Sequence, residues 1–163
     1  MFSVGIITAS DKGAKGERQD LSGQVIRELV EDAGGKVAQY IVIPDEFKLI
    51  KETLIDYSDA KKLDLILTTG GTGLGPRDNT PDATLEVIEK QVPGIAEVMR
   101  MESLKKTNRA MLSRAVAGIR NKSLIINLPG SPKAVQECLE IILPAIPHGI
   151  AIMKGETGEC GRV

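Results

Sequence analysis

One segment constrains this chain more than any other, the run TTGGTGLGPRDNTPDAT at positions 68–84. It follows the apolar residues 65–67, which are typical of a strand buried on both faces of a parallel sheet. The four glycines between 70 and 75 lack a Cβ, so they let ligand oxygens approach backbone N–H groups. Thr80 is predicted to cap a helix whose first residue is Pro81. This order of strand, glycine loop and helix predicts an anion site at the carboxyl end of a parallel strand.

Two known phosphate motifs do not match this loop. A P-loop needs Gly-Lys-Ser/Thr after its last glycine, whereas Gly75 is followed by Pro76 and Arg77. A dinucleotide loop needs the spacing G-x-G-x-x-G, which this segment does not contain. The loop therefore predicts phosphate binding of another kind, and a glycine-rich turn without a ligand is the alternative interpretation.

The rest of the chain alternates between strand and helix patterns. Strands are predicted at 2–8, 36–43, 63–69 and 124–128. Helices are predicted at 20–33, at 45–57, from 80 onward, at 95–104, and from 131 through a bend at Pro144. Such alternation implies parallel pairing through right-handed crossovers. We therefore predict one three-layer α/β domain, Rossmann-like with a mostly parallel central sheet, over residues 1–154, followed by a flexible tail at 155–163.

Two of these helices carry apolar residues at helical spacing, and these residues are expected to face the core. In the helix at 20–33 they are Leu21, Val25, Leu29 and Ala33. In the helix at 45–57 they are Phe47, Ile50 and Leu54. The segment 105–121 shows no clear pattern.

Composition argues against several classes of partner. A net charge of −1, with only two Phe, two Tyr and no Trp, argues against nucleic acid. No basic segment precedes the first strand, and charged residues and prolines interrupt the apolar region 139–153, so we expect neither a signal peptide nor a membrane span. Cys138 and Cys160 lack metal-ligand spacing, so we expect a reduced, cytoplasmic protein. We expect Cys138 in the core, Cys160 in the tail, and His148 at the surface or at a helix cap.

Six motifs, in order, make the chain resemble a known family. They are Thr8-Ala9-Ser10-Asp11, Ile43-Pro44-Asp45-Glu46, the segment 68–84, Pro93-Gly94 with Glu97 and Arg100, Ala110-Met111-Leu112-Ser113-Arg114, and Asn127-Leu128-Pro129-Gly130-Ser131-Pro132-Lys133. Together they span nearly the whole chain and resemble the molybdopterin adenylyltransferases of molybdenum-cofactor biosynthesis, which are related to the G domain of gephyrin. Two positions depart from the family pattern, since Lys12 stands where the family often has Arg and Asn79 where it usually has Val.

The resemblance implies a reaction and its participants. AMP passes from ATP to the terminal phosphate of molybdopterin, pyrophosphate is released, and Mg²⁺ is the cofactor. A homotrimer is implied, and the molybdenum insertase of the pathway is a further partner. A phosphate monoester with a second pKa of about 6 is largely ionised at neutral pH, so the reaction needs charge neutralisation more than a general base.

The candidate site residues answer that need. Asp45 and Asp78 follow predicted strands at one sheet edge, and the resemblance implies that both are catalytic and hold magnesium. For Asp45, positioning of the substrate is the alternative to binding the metal. The predicted substrate and phosphate contacts are Thr69, Gly70, Gly71, Thr72, Gly73, Ser113, Pro129, Gly130, Ser131 and Lys133. Further candidates are Ser10, Asp11 and Arg77. For Ser113 the resemblance alone suggests a role.

Simpler interpretations exist for several of these residues. Asp45 suits a helix N-cap, Asp78 suits a turn, and Asp11 either lines the site or turns the chain. Arg77 and Arg114 are candidates for phosphate pairing, although isolated basic residues are most often solvated. A non-catalytic molybdopterin-binding scaffold is the alternative function, but the presence of both Asp45 and Asp78 favours the enzyme.

Overall fold

The computed structural model describes residues 1–156 of the chain. The strands within this range are Phe2–Ala9 (β1), Gly35–Ile43 (β2), Leu65–Thr69 (β3), Lys90–Gln91 (β4), Ala117–Arg120 (β5) and Ser123–Leu128 (β6). The α-helices are Asp11–Ala14 (α1), Leu21–Asp32 (α2), Phe47–Ile55 (α3), Thr80–Val87 (α4), Pro93–Leu104 (α5), Pro132–Ile142 (α6) and Ile146–Lys154 (α7). A π-helical turn lies at Asp56–Ala60, and 3-10 turns lie at Asn108–Leu112 and Leu143–Ala145.

The strands form one sheet in the order β2-β1-β3-β6-β5-β4. Strands β2, β1, β3 and β6 run parallel, and β5 is antiparallel to both of its neighbours. The parallel strands end level with one another, since Ala9 pairs with Ile43 and Thr69 pairs with Leu128. The loops after these four strands therefore meet at one edge, the usual place for a ligand in an α/β sheet.

Helices cover both faces of the sheet, because successive side chains of a buried strand point to opposite sides. Leu67 and Ile126 face a core that α2, α5, α6 and α7 close. Ile66 and Ile125 face a second core, closed by α3 and α4. This arrangement confirms the predicted three-layer α/β fold with a mostly parallel sheet.

Helix α2 differs from the predicted pattern of burial. Leu21 is exposed, and the other three residues of the predicted stripe are only partly buried. The buried residues are Ser22, Gly23, Ile26 and Val30. A polar contact contributes to this rotation, because the Ser22 hydroxyl donates to the Gly130 carbonyl at 2.7 Å and turns that side of the helix toward the sheet edge.

Two other helices begin at residues that the sequence did not predict. Helix α3 begins at Phe47 after Glu46 as N-cap, so Asp45 is neither helical nor a cap. Helix α4 begins at Thr80 itself, with Asn79 as N-cap. The prediction of Thr80 as cap was wrong, because the Ala83 amide donates to the Asn79 carbonyl at 3.0 Å and to no side-chain oxygen of Thr80.

The remaining predictions agree with the structure to within two residues at most strand and helix ends. The 105–121 segment contains a 3-10 turn and β5, and neither was predicted; nor was the short β4. Cys138 is buried in the core as expected, and His148 is exposed on α7. Cys160 and positions 157–163 of the predicted tail lie outside the described residues.

One helical run, Pro132–Lys154, is long and apolar enough to cross a membrane by length and composition alone. It contains the 3-10 turn at Leu143–Ala145, where Pro144 interrupts the helix as predicted. Its buried residues Val135, Leu139, Ile142 and Ile150 pack in the core beside the sheet. A core helix of a globular domain has the same composition, so the run is weak support for a membrane span.

Candidate functional site

A cleft of about 680 Å³ opens at the carboxyl edge of the parallel strands. Residues from the loops after β1, β2, β3 and β6 line it, together with the start of α2. They are Thr8, Ala9, Ser10, Arg18, Gln19, Leu21, Ser22, Asp45, Thr69, Gly70, Gly71, Asp78, Gly130, Ser131 and Pro132. The cleft therefore brings together eight of the residues predicted from sequence, which come from four separate loops.

Two glycines after β3 turn the chain into this cleft. Gly70 has φ of +91°, and a Cβ on it would overlap the carbonyl oxygen of Ala9. Gly71 has φ of +67°, and its Cβ would stand 2.5 Å from the Thr80 hydroxyl oxygen and 3.2 Å from Asp45 Oδ1. Both positions need glycine for conformation and for space.

Arg114 holds the part of the glycine loop that follows Gly71. Its backbone amide donates to the Thr72 carbonyl at 2.9 Å. Its guanidinium donates to the carbonyl of Gly73 at 2.8 Å and to that of Asp78 at 2.7 Å. The same guanidinium forms a two-pronged ion pair with Asp82, with distances of 3.0 and 3.1 Å. The Arg114 guanidinium therefore binds protein groups at both ends of the 73–78 loop. Because its nitrogens already donate to these groups, pairing with a phosphate is disfavoured.

Asp11 and Asp45 bind each other across two loops. The Asp11 amide donates to Asp45 Oδ2, and the Asp45 amide donates to Asp11 Oδ1, both at 3.0 Å. Arg77 from the glycine loop then donates to both oxygens of Asp11, at 2.8 and 2.9 Å. The Arg77 guanidinium holds the pKa of Asp11 below its ordinary value, and the Asp45 amide acts in the same direction.

Asp45 has a different electrostatic environment. Burial raises the pKa of its carboxyl above the ordinary value, and the carboxylates of Asp11 and Asp78 add to the increase. The Asp11 amide and Arg77 only partly oppose this effect. The negative charge of Asp45 is therefore incompletely neutralised by the protein itself.

Such a site fits a hard divalent cation. No cluster of three or more His, Cys, Asp or Glu side chains suited to a metal occurs within residues 1–156. Magnesium, however, commonly takes only one or two protein carboxylates and completes its shell with phosphate oxygens and water. Asp45 and Asp78 both line the cleft. Burial raises the pKa of Asp45 and repulsion from Asp78 adds to the increase, so a cation there would favour the ionised carboxylate.

A second cavity, of about 300 Å³, lies on the other side of the glycine loop. Four residues predicted to contact substrate line this cavity and not the cleft: Thr72, Gly73, Ser113 and Pro129. The Ser113 hydroxyl accepts a hydrogen bond from the Ala115 amide at 3.3 Å. The predicted contacts therefore divide between two spaces that adjoin the same loop.

The turn after β6 is held by residues that the family motif includes. Ser131 caps α6 by accepting from the Ala134 amide at 3.2 Å. Thr69 donates to the Pro129 carbonyl at 2.6 Å, which ties this turn to the end of β3. Asn127 is fully buried and donates to the hydroxyls of Thr68 and Thr84 at 3.0 and 2.9 Å. Lys133 follows this turn but lines neither cavity.

Sequence reasoning missed several residues of the site. Arg18, Gln19 and Ser22 line the cleft, but no local motif marks them. Thr80, which lies beside Gly71 but does not line the cleft, was predicted only as a cap. One signal could have identified Arg18, Gln19 and Ser22 as site residues: they follow the Ser10-Asp11 motif closely in the sequence. The segment between β1 and α2 starts at the carboxyl edge of the sheet, so residues in it can lie near the cleft.

The chain matches known proteins over nearly its whole length. Residues 5–148 match the family model described as a probable molybdopterin binding domain. The molybdopterin adenylyltransferase of Helicobacter pylori strain J99 is 48% identical over 154 residues, covering 93% of this chain and 88% of that protein. Gephyrin of Dictyostelium discoideum is 40% identical over 163 residues, which cover 94% of this chain and 23% of gephyrin.

Solved structures give the same result. The crystal structure of the molybdopterin biosynthesis enzyme MoaB from Thermus thermophilus has a TM-score of 0.90 and 53% sequence identity to this chain. The match covers 95% of this chain and 98% of the Thermus chain. The resemblance noted from the motifs is confirmed by both kinds of comparison.

Proposed function

This chain belongs to the family of molybdopterin binding domains, and on that premise we propose that it is a molybdopterin adenylyltransferase. It transfers AMP from Mg-ATP to the terminal phosphate of molybdopterin and releases pyrophosphate. The observation that supports this proposal most directly is the meeting of Asp45, Asp78 and the Gly70-Gly71 turn in one cleft. Carboxylates beside a phosphate-sized glycine turn suit a reaction between two polyanions.

The chemistry needs no proton acceptor on the protein. An oxygen of the molybdopterin phosphate attacks the α-phosphorus of ATP, a new P–O–P bond forms, and the bond to the β-phosphate breaks as pyrophosphate leaves. The attacking phosphate is already ionised at neutral pH, because its second pKa is about 6. The task of the site is therefore to hold the two phosphate groups together in line.

Two parts of the chain supply this positioning. Gly70 and Gly71 line the cleft and have positive φ angles. A glycine turn of this kind is suited to present backbone amides to a phosphate group. Asp45 and Asp78 would hold the magnesium ion, which when bound neutralises charge on the reacting and leaving phosphates. Arg77 keeps Asp11 ionised and thereby leaves the Asp45 carboxylate for the cation.

The two cavities suggest how an elongated substrate lies. The cleft offers carboxylates, hydroxyls and amides, and it is the larger space. The second cavity combines apolar walls such as Met99 and Leu112 with polar groups such as Ser113 and Arg100, as expected for a flat heterocycle. We assign the terminal phosphate of molybdopterin to the glycine loop between them and the pterin to the second cavity. ATP then occupies the cleft.

Assembly and location are proposed on the resemblance to the family. The protein is proposed to be a cytoplasmic homotrimer that delivers its product to the molybdenum insertase of the pathway. Exposed apolar side chains near the second cavity support a protein contact there, and they include Leu74, Met101, Met111 and Leu112. These four side chains range from 49% to 67% exposed.

The deciding experiment is incubation with molybdopterin, ATP and magnesium, followed by detection of pyrophosphate and of adenylylated molybdopterin. Formation of both in equal amounts supports the transferase. The alternative, a molybdopterin-binding scaffold, predicts pterin binding with no pyrophosphate released. Omitting magnesium from a parallel reaction tests the cation requirement separately.

A further inference from the structure

Thr80 contains the one buried side-chain polar atom without a hydrogen-bond partner among residues 1–156, its hydroxyl oxygen. The residue is fully buried, at 0% exposure. Buried hydroxyls are almost always paired, because an unpaired one loses its hydrogen bonds to water without replacement. This orphaned hydroxyl lies beside Gly71, which lines the cleft, and it therefore needs an explanation.

The common structural roles of this hydroxyl are already excluded. Thr80 is the first residue of α4 and not its cap, so the hydroxyl does not accept from the amide of Ala83. The neighbouring Thr84, one turn later, shows the ordinary situation. Its hydroxyl donates to the Thr80 carbonyl at 2.8 Å and accepts from Asn127 at 2.9 Å.

The position of the hydroxyl points to Asp45. The Thr80 oxygen lies against Gly71, 2.5 Å from where a Cβ on that glycine would stand, and Asp45 Oδ1 is 3.2 Å from the same point. Asp45 Oδ2 already accepts from the Asp11 amide. Within the described residues Oδ1 has no hydrogen-bond donor. A donor and an acceptor without partners therefore both lie beside Gly71.

We propose that Thr80 is a positioning residue whose hydroxyl donates to Asp45 Oδ1 when magnesium and ATP occupy the cleft. This inference rests on the proposed function, and it adds a residue to which the proposed transfer mechanism gives no role. Because position 71 is glycine, no side chain of that residue occupies the space beside the two oxygens. The hydrogen bond fixes the carboxylate in the orientation that a bound cation requires, since groups that orient a ligand also tune its affinity.

The proposal predicts opposite effects on stability and on catalysis. Thr80→Val keeps the shape of the side chain and removes a hydroxyl that has no partner in the free protein. Its melting temperature without ligand should be unchanged or higher. Its affinity for Mg-ATP and its kcat should fall about 10-fold or more, the usual effect of losing a hydrogen bond to a charged group, with KM for molybdopterin unchanged. Thr80→Ser, which keeps the hydroxyl, should retain most of the Mg-ATP affinity and most of the kcat.

Thr84→Val is the matched control on the same helix. It removes a hydroxyl that has two partners, so its melting temperature should fall by about 2–4 °C or more, while turnover measured well below that temperature stays near that of the unmodified protein. A role through Asp45 is tested by titrating Mg-ATP into Asp45→Asn with and without Thr80→Val. The second change should add no further loss of affinity in that background.

Several results would overturn the proposal. Thr80→Val that melts lower, as Thr84→Val does, shows that the hydroxyl has a structural partner. Unchanged Mg-ATP affinity and kcat in Thr80→Val, or additive losses with Asp45→Asn, show that it does not act on Asp45. If the unmodified protein forms no adenylylated product, the proposed transferase fails, but the melting and Mg-ATP titrations still decide the role of Thr80.

Discussion

Asp11 and Asp45 each accept a hydrogen bond from the other's backbone amide, both at 3.0 Å. The pair joins the loops after β1 and β2. Asp45 lines the cleft, whereas Asp11 and Arg77 line a neighbouring cavity. Arg77 from the glycine loop neutralises the charge of Asp11. Asp45 has no such ion pair within the described residues, although each carboxylate accepts one backbone amide of the other residue. Asp45 is the carboxylate left for a ligand.

The first prediction concerns pH and Asp45. Its pKa is raised in the folded protein, so ionising it costs stability, and this cost grows as pH rises from the unfolded pKa of about 3.9 through the folded pKa. Asp45→Asn, whose amide oxygen still accepts from the Asp11 amide, should therefore be at least as stable as the unmodified protein at pH 7. The difference should vanish below about pH 4. Urea unfolding across this pH range measures it.

Asp59→Asn is the control, and its effect on stability at pH 7 should be opposite to that of Asp45→Asn. The Arg120 guanidinium lowers the pKa of Asp59, so the ionised carboxylate contributes stability that is present at pH 7 and is lost as pH falls through the folded pKa. This variant should be less stable at pH 7. A loss of stability in Asp45→Asn at pH 7 would contradict the proposed imbalance of charge.

Asp78→Asn should separate catalysis from binding. The side chain keeps its shape and loses the charge proposed to hold magnesium, so turnover should fall by about 100-fold or more. Molybdopterin affinity should change far less. Glu86→Gln on α4 removes one negative charge from an exposed ion pair with Lys51 and should leave turnover intact. Pyrophosphate release and pterin titration are the two measurements, and equal turnover in Asp78→Asn would remove this residue from the mechanism.

Gly71→Val should abolish molybdopterin binding. Its Cβ would stand 2.5 Å from the Thr80 oxygen and 3.2 Å from Asp45 Oδ1 at a φ of +67°. The side chain therefore displaces these groups and strains the turn that is proposed to hold the phosphate. Gly149→Val is the comparison, since a Cβ there meets nothing within 4 Å. Circular dichroism should show that both variants fold. Pterin affinity in the Gly71 variant equal to that of the unmodified protein would defeat the assignment of the loop.

Arg114→Lys should loosen the glycine loop. A lysine cannot bind Asp82 with two prongs and also reach the carbonyls of Gly73 and Asp78. We expect a loss of about 1–3 kcal/mol in unfolding free energy and a kcat about 10-fold lower, because Asp78 lies at the end of the clamped segment. Arg120→Lys is the matched control. Arg120 also donates to a carboxylate, that of Asp59, and to a backbone carbonyl, that of Val87. That control should lose stability without losing turnover.

Assembly gives the fifth prediction. Light scattering should report a trimer, as the resemblance to the family implies. A mass that stays monomeric across the concentration range would remove the trimer and any site built between subunits. Introducing charge at one exposed apolar residue, as in Met111→Glu, tests whether that surface is covered in the assembly.

Features that depend on neighbouring residues could be predicted from the amino-acid sequence. The apolar run before Gly70 predicted a buried parallel strand, and the glycines predicted the turn into the cleft, because strand burial and positive φ depend on residues that are neighbours in the chain. Alternating patterns then predicted the fold class, and the six motifs predicted the family. The ends of the helices were less certain, as the shift of the cap from Thr80 to Asn79 shows.

Which of these groups contact one another depends on how distant segments pack. Asp11 and Asp45 are 34 residues apart in sequence, and Arg114 lies 36 residues from Asp78. Their contacts depend on the strand order β2-β1-β3-β6, which no local pattern contains. Those contacts decide which polar and charged groups are paired within the protein. Arg114 was a candidate for binding phosphate, but it holds the glycine loop. Asp45 suited a helix cap, but it keeps a charge that the protein only partly compensates. The Thr80 hydroxyl was expected to cap a helix, but it has no partner. Sequence alone did not decide these outcomes, because burial and long-range hydrogen bonds are set when distant segments pack together.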